Sequence, residues 1–360
     1  MIANSGEYRK KNGQRGYVMM NNFIFENKTK VYFGKGGVKE YLGGLLANFG
    51  ETVMLAYGGG SIKCNGVYDE IMGILNAQGK CVVEFSGIMS NPTYAKVQDG
   101  AKLARENHVD LILAVGGGSV SDCCKVISAQ ANLNEDIWEM QYTKHTLPTK
   151  FIPLGTIVTV FGTGSEMNNG AVITHEEKKI KGALWGAQAE FAFLDPAYSL
   201  SVPMQQVISG AFDTLSHAME TYFGKPDENN LSDDTNEAAM AENGVLKIGK
   251  VTDFQAHQIE HQLGAYTNCN HGASLAVIHP VLYRHIYKSG AARFARFAQN
   301  VWASHPRAVT GKPPPVSTRW PRSLRKSVCR PALQSLAFPL IPISVPSRIP
   351  PTSPLAAAKS

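Results

Sequence analysis

Between residues 52 and 130 the chain repeats one unit: a short apolar run, a glycine-rich turn, then a segment with helical spacing. Thr52–Tyr57 (TVMLAY) leads into Gly58-Gly59-Gly60-Ser61 and the pattern VYDEIMGILNAQG. Cys81–Phe85 is a second run, with a helical pattern at 94–107 behind it. Residues 111–115 (LILAV) form a third, closing on Gly116-Gly117-Gly118-Ser119 before a helix that opens with Ser121 and Asp122. Strand, turn and helix in repetition predict an α/β, Rossmann-like N-terminal domain, a parallel sheet with helices on both faces.

The two glycine loops carry a chemical meaning of their own. Glycine permits positive φ and lets backbone amides approach a phosphate, and the helix that follows presents the positive end of its dipole. Both loops fall where strands end, the place where open α/β sheets bind ligands. One such loop is as readily a tight turn; two in phase with the strand rhythm point to a phosphate-bearing ligand. Neither has the G-x-G-x-x-G or Walker spacing, which disfavours an ordinary Rossmann dehydrogenase or a P-loop kinase. A third polar loop, 159–166 (TVFGTGSE), follows the run FIPLGTIV and offers hydroxyls to the same crevice, with Lys181 further on. Upstream, NFIFENKTKVYFGKGG alternates and ends in glycines, as a β-hairpin would.

A different pattern governs 213–271. Asp213 and His217 are four apart in SGAFDTLSHAMETY, which has no proline and no glycine after Gly210, so on a helix they project from one face. His257 and His261 repeat the spacing, and His271 follows in Asn-Cys-Asn-His. Either pair alone is as readily a surface hydrogen bond or a capping contact. Five of the ten histidines, however, lie within 217–279. A carboxylate and several imidazoles facing one point suit a borderline divalent cation with a position left open for substrate. His257-x-x-Glu260-His261 also matches the inverted zinc-peptidase motif. That site needs a further carboxylate, usually downstream, and no Asp or Glu follows Glu260. An α/β domain followed by a helical, metal-bearing one predicts a metal at the cleft between them.

Composition narrows the class. At 44% apolar and 18% charged, the chain reads as a soluble globular enzyme. Its net charge of +6 is uneven: residues 303–360 hold nine Lys and Arg and no acid, leaving 26 basic against 29 acidic side chains before them. The body is mildly acidic and no nucleic-acid partner is expected. Six cysteines without a C-x-x-C pair fit reduced thiols and a cytoplasmic location, with Cys123 and Cys124 as small core residues. Residues 1–19 are polar and basic, lack the apolar core of a signal peptide, and precede a second start at Met20; they are expected to be a disordered extension. The apolar stretch 332–345 is short and broken by proline, so no membrane span is expected.

Taken together, GGGSVSD, FGTGSE, FLDPAYSLSVP, GAFDTLSHAMETY, HQIEHQLGA and NCNHGASLAVIHP resemble the iron-containing, group III alcohol dehydrogenases, most closely their NADPH-dependent butanol dehydrogenase branch. The resemblance covers about 20–237 and 240–302. It implies a dehydroquinate synthase-like architecture: a dinucleotide-binding α/β domain over 20–200, then an all-α metal-binding domain over 201–302. It implies Asp213, His217, His257 and His271 as ligands of ferrous iron, with zinc acceptable, and His261 as a proton-relay residue beside them. Gly116, Gly117, Ser119 and Asp122 would hold the cofactor pyrophosphate, with Gly118 in the same loop, and Thr156, Thr159, Ser165 and Lys181 match positions near the cofactor. NAD-dependent relatives carry an Asp in the first glycine loop. Here Gly58, Gly59, Gly60 and Ser61 leave room for a 2′-phosphate, which implies NADP(H). The reaction implied interconverts an alcohol and an aldehyde, the substrate oxygen on the metal and hydride exchanged with the nicotinamide. Relatives often pair through their N-terminal strands, so a homodimer is expected.

Two departures from the family stand out. Between His217 and His257 the chain is shorter by about thirty residues, the length of about two average helices, with a join near Glu237-Ala238-Ala239-Met240. After Trp302 the helical pattern stops, and 303–360 holds twelve of the nineteen prolines; a disordered basic tail is expected there. Beside the active oxidoreductase stands a second reading, a remnant that binds NADP(H) without turnover. The dehydroquinate-synthase and glycerol-dehydrogenase branch would bring zinc and different flanks; Asp213-x-x-x-His217 argues against it.

Overall fold

The computed structural model describes residues 7–9, 15–17, 26–226 and 250–302. The join near 238, the tail 303–360 and most of 1–19 lie outside the described residues. Two three-residue strands, β1 (Glu7–Arg9) and β2 (Arg15–Tyr17), pair antiparallel near the start. From there the chain runs β3 (Lys30–Phe33), α1 (Gly37–Leu46), β4 (Thr52–Tyr57), α2 (Ser61–Cys64), α3 (Val67–Ala77), β5 (Cys81–Phe85), α4 (Tyr94–Glu106), β6 (Leu111–Gly116), α5 (Gly118–Gln130), α6 (Ile137–Tyr142) and β7 (Leu154–Val158). It continues through β8 (Gly170–His175), β9 (Ile180–Trp185), β10 (Phe191–Leu194), α7 (Met204–Tyr222), β11 (Lys225–Pro226), β12 (Lys250–Val251), α8 (Gln255–Thr267), α9 (His271–Ile286) and α10 (Ala291–Trp302).

Strand β4 shows why the sheet is covered on both sides. Successive strand side chains point to opposite faces. Val53, Leu55 and Tyr57 join Val38 and Leu42 of α1 and Ile71 and Leu75 of α3 in one core. Met54 and Ala56 join Val97 and Ala101 of α4 and Cys123 and Ile127 of α5 in the other. Burying a Val, Leu or Ile side chain contributes about 1.5–3 kcal/mol, so a run apolar at every position is stable only between two helical layers. The α/β expectation is met: six strands in the order β3-β10-β7-β6-β4-β5, all parallel. Cys123 and Cys124 are buried as expected.

Three local expectations change. The hairpin expected upstream of 37 is replaced, in its described part, by β3, which pairs in parallel with β10 at the sheet edge. Helix α5 opens at Gly118, so Ser121 and Asp122 lie within its first turns; the amides of Val120 and Ser121 already bond to the Gly117 carbonyl. An antiparallel hairpin, β8 with β9, appears where none was expected, turning through Glu176, Glu177, Lys178 and Lys179.

By internal contacts the chain separates into two compact units. One holds 27–211 with 261–270; the other holds 212–260 and 271–302 among its described residues, with β1 and β2.

Candidate metal centre and dinucleotide loops

In the helical unit, three helices bring the ligand-type side chains together. Asp213, His217 and Glu220 lie four and three apart on α7, which puts them on one face. His257 and Glu260 lie three apart near the start of α8, and His271 is the first residue of α9. Asp213 Oδ1 is 3.4 Å from His217 Nε2, 3.6 Å from His257 Nε2 and 3.2 Å from His271 Nε2. The Nε2 atoms of His217 and His257 are 3.1 Å apart. Candidate ligand atoms of Asp213, His217 and His257 all lie within 4.8 Å of one another, and all three residues are buried.

The electrostatics of this cluster fit a cation. Burial pushes the Asp213 carboxyl up, but the charge of His271 and the three imidazoles around it outweigh burial and hold it well below the usual carboxylate range. Burial pushes His271 down, and Asp213 and Glu260 overcome this and raise it to about 9. Asp213 Oδ1 is nevertheless buried without a hydrogen bond, although three ring nitrogens face it. A buried anionic oxygen without a bond is costly, and a divalent ion of the kind that takes N and O donors answers that need.

Two carboxylates stand behind the ring. Glu220 Oε2 contacts His257 Nδ1, and Glu260 Oε2 lies 2.5 Å from His271 Nδ1. Glu260 is fully buried and engaged there, so it is no general base of a zinc peptidase. His261 sits half-buried on the turn after His257. His279, the fifth histidine of the stretch, is structural: it is fully buried, 2.6 Å from the Ser216 hydroxyl, and burial pushes it down to about 4. The sequence reading gives Glu220 no part in the site and Glu260 only that of a general base in the disfavoured peptidase alternative. The signal was His-x-x-Glu occurring twice, at 217–220 and 257–260.

In the α/β unit, the strand order reverses between β4 and β6: the chain goes from β4 out to β5, then returns to β6 on the other side. Both glycine loops follow these two strands, so they flank the switch point where such sheets hold ligands. Gly60 has φ +101°, a conformation side chains rarely adopt. Helix α5 starts without a side-chain cap, which leaves the amides ahead of Val120 for an anion. The third loop abuts the second: Thr159 N donates to the Gly116 carbonyl, and a Cβ at Gly118 would stand 3.2 Å from Thr163 Oγ1.

Several residues expected near the dinucleotide are turned inward. Asp122 accepts from the Ser165 hydroxyl and, at 2.9 Å, from the Val172 amide. Ser165 in turn accepts from the buried Lys125 at 2.7 Å. Asp122 thereby braces α5 against β8 and the third loop. Thr156 is fully buried in β7, its hydroxyl toward the Phe191 carbonyl, so it too lies inside the sheet. Ser119 donates to the Ser90 carbonyl, Thr159 is buried, and Lys181 is buried on β9 opposite Thr174. Among the described residues no helix is long and apolar enough to cross a membrane.

Residues 28–196 match the family described as iron-containing alcohol dehydrogenase. The chain is similar to the probable NADH-dependent butanol dehydrogenase 1 of Bacillus subtilis, 36% identical over 315 residues, covering 79% of this chain and 81% of that protein. It is also similar to the NADPH-dependent aldehyde reductase YqhD of Escherichia coli, 34% identical over 319 residues, covering 79% and 81%. Among solved structures it is similar to NADH-dependent butanol dehydrogenase A of Thermotoga maritima, with TM-score 0.76 and 30% identity over 89% of this chain and 88% of that one. Seventy-nine per cent of 360 residues is about 284, so about thirty of the 315 aligned positions have no residue here. The butanol dehydrogenases carry NADH in their names and the aldehyde reductase NADPH, which leaves the nucleotide open.

Proposed function

The chain belongs to the iron-containing alcohol dehydrogenase family, and from that premise we propose that it interconverts primary alcohols and aldehydes with NADP(H) at a ferrous centre held by Asp213, His217, His257 and His271. It is an alcohol/aldehyde oxidoreductase by its relatives; the ligand set, the metal and the nucleotide are the proposal. The observation that carries it is the buried, unbonded Asp213 Oδ1 with three Nε2 atoms at 3.2–3.6 Å.

A divalent ion bound there supplies Lewis acidity to the substrate oxygen, and the nicotinamide accepts or donates the hydride. The protein supplies position. Asp213 holds a negative charge inside the helical unit, and burial keeps water from competing for it. The loops at 58–61 and 116–119 present backbone amides to the pyrophosphate. Lys125, Asp122 and Ser165 fix the third loop beside them. His261 moves the proton between the substrate oxygen and solvent.

NADP(H) is favoured over NAD(H) because the first glycine loop contains no carboxylate and Lys63 follows two residues after it. Lys63 is held 3.2 Å from Glu84, and its release toward a 2′-phosphate is part of the proposal. Iron is favoured by the family, while the donor set also accepts zinc. The proposed division of labour keeps dinucleotide binding in 20–200 and the metal in 201–302. The described cysteines are free thiols, which supports a cytoplasmic setting, and the edge position of β3 is compatible with pairing through N-terminal strands. The inactive-remnant reading draws no support from the helical unit, where the four side chains stand together.

Metal content per chain of anaerobically purified protein, followed by initial rates of butanal reduction with NADPH and with NADH, tests the proposal. About one iron per chain and faster turnover with NADPH are expected. Protein that is folded but metal-free, or that prefers NADH, refutes the corresponding part.

A further inference from the structure

Within the helical unit, the sequence places His-x-x-Glu on two successive helices, His217 with Glu220 on α7 and His257 with Glu260 on α8. Residues three apart share a helix face, and each glutamate would be expected to serve the histidine of its own helix. The contacts run otherwise. Glu220 of α7 reaches His257 of α8, and Glu260 of α8 reaches His271 of α9. We infer that Glu220 and Glu260 are the positioning carboxylates of the metal centre, each holding Nδ1 of an imidazole on the next helix so that Nε2 is turned toward Asp213.

Glu220 grips the opening of α8 at several points. Its Oε1 accepts from the Ala256 amide at 2.7 Å, and its Oε2 accepts from the His257 amide at 3.3 Å and meets the ring of the same residue. The leading amides of a helix lack intrahelical partners, so one carboxylate both caps α8 and orients its ligand ring. Glu260 is fully buried. A carboxylate loses several kcal/mol of hydration on burial unless it is paired, and His271 Nδ1 stands at ion-pair distance from it, 2.5 Å.

The consequence for each ring is a fixed orientation. A carboxylate facing Nδ1 keeps a proton on that nitrogen, so a metal arriving at Nε2 would displace only the Nε2 proton, and turning the ring away from Asp213 would lose the contact with its carboxylate. A carboxylate behind a ligating imidazole also makes it a better donor, and removing such a partner costs metal affinity roughly 10- to 100-fold. His217 is placed differently: it shares α7 with Asp213, four residues away, and the helix itself sets their relation. The three helices are thus tied in sequence, α7 to α8 through Glu220 and α8 to α9 through Glu260.

This inference rests on the ligand assignment proposed above, and the test separates the two. The full-length protein and its Glu220→Gln and Glu260→Gln variants are stripped with chelator and titrated with Zn2+ alone against a competing chelator; Co2+ spectra are recorded in parallel. Wild-type protein is expected to bind one Zn2+ per chain, and each variant to bind with roughly 10- to 100-fold weaker affinity and an altered Co2+ spectrum. Thermal unfolding of the metal-free forms is measured beside it, because a purely structural glutamate would lower that midpoint and leave the affinity of folded protein unchanged. If loss of the α8 cap unfolds Glu220→Gln, the isosteric Glu260→Gln decides alone. Variants that match wild-type affinity overturn the inference while the ligand assignment stands. Wild-type protein that binds no Zn2+ overturns the assignment and the inference with it.

Discussion

Replacing Lys125 by Met should destabilise the α/β unit by about 3–5 kcal/mol, the usual cost of removing one partner from a buried ion pair. The ammonium is fully buried in α5 and donates to Ser165 Oγ at 2.7 Å, Asn168 Oδ1 at 3.0 Å and the Gly170 carbonyl at 2.7 Å, with Asp122 Oδ1 3.6 Å away. Hydrogen bonds to a charged group each contribute about 1.5–3 kcal/mol, and the several kcal/mol of lost lysine hydration offset part of their sum. Methionine has a similar length and fills the space, so little of the loss is cavity. Native domains have about 5–15 kcal/mol in hand, so the variant should remain folded with a clearly lower urea midpoint. Tryptophan fluorescence follows the transition, since Trp138 is buried in the same unit. Adding Asp122→Asn should recover part of the loss, because it removes the carboxylate left without its cation. Weaker dinucleotide binding should accompany the change, because Ser165 and Asn168 hold the third loop. A loss under about 1 kcal/mol, or no recovery in the double variant, would refute a charged brace at this point.

His261→Asn should lower turnover while the metal content stays near one per chain; loss of metal would make His261 a ligand instead. Gly210→Ala should destabilise by about 1–3 kcal/mol or more, because its Cβ would stand 2.2 Å from the Phe161 carbonyl; an unchanged urea midpoint would contradict that close approach. His175 is held below its ordinary value by burial and then by Lys178, and it is stacked on Tyr94. The unfolded imidazole gains a proton below about pH 6.5 and the folded one resists it, so this contribution is present above that pH and lost as pH falls, by up to about 1.4 kcal/mol per pH unit. His175→Phe should flatten the fall in urea midpoint between pH 7.5 and 5.5, and an equal fall in both proteins would refute the assignment.

The parts of the fold that were legible are those whose burial leaves a local signature. TVMLAY and LILAV are apolar at every position because both faces of β4 and β6 are covered, and no partner need be known to see that. The run KVYF carries a strand pattern too, but its partner is β10, far along the chain, and periodicity cannot name a distant partner. Hairpin β8–β9 closes through Glu176, Glu177, Lys178 and Lys179, a turn with no glycine or proline to mark it in the sequence. At the site, Asp213 and His217 show themselves by i,i+4 spacing on one helix. The service of Glu220 to His257 and of Glu260 to His271 runs between helices, and no spacing within one helix encodes it. Asp122, Thr156 and Ser165 show the converse: their residue types suit a phosphate, and only the fold reveals that Val172, Phe191 and Lys125 also engage them.

The shortening expected between His217 and His257 would bear on the site less than its length suggests. Lys225 pairs with Val251 and Pro226 with Lys250, so β11 and β12 run antiparallel directly after α7 and shortly before α8. Antiparallel partners lie about 5 Å apart, and whatever joins them leaves and returns at one place. The joining segment, 227–249, therefore need not span a distance to let α7 and α8 meet. Loop closure cost grows only as the logarithm of length, so taking about thirty residues out of such a connection changes it by less than about 1 kcal/mol. What a longer segment would supply is packing, and packing acts on the ligands through the helices that carry them. Those helices are joined to one another by Glu220 capping α8 and Glu260 holding the first residue of α9. The geometry of the metal centre is thus set by contacts among α7, α8 and α9 themselves, which is why the three imidazoles gather around Asp213 Oδ1 whatever the length of the segment between His217 and His257.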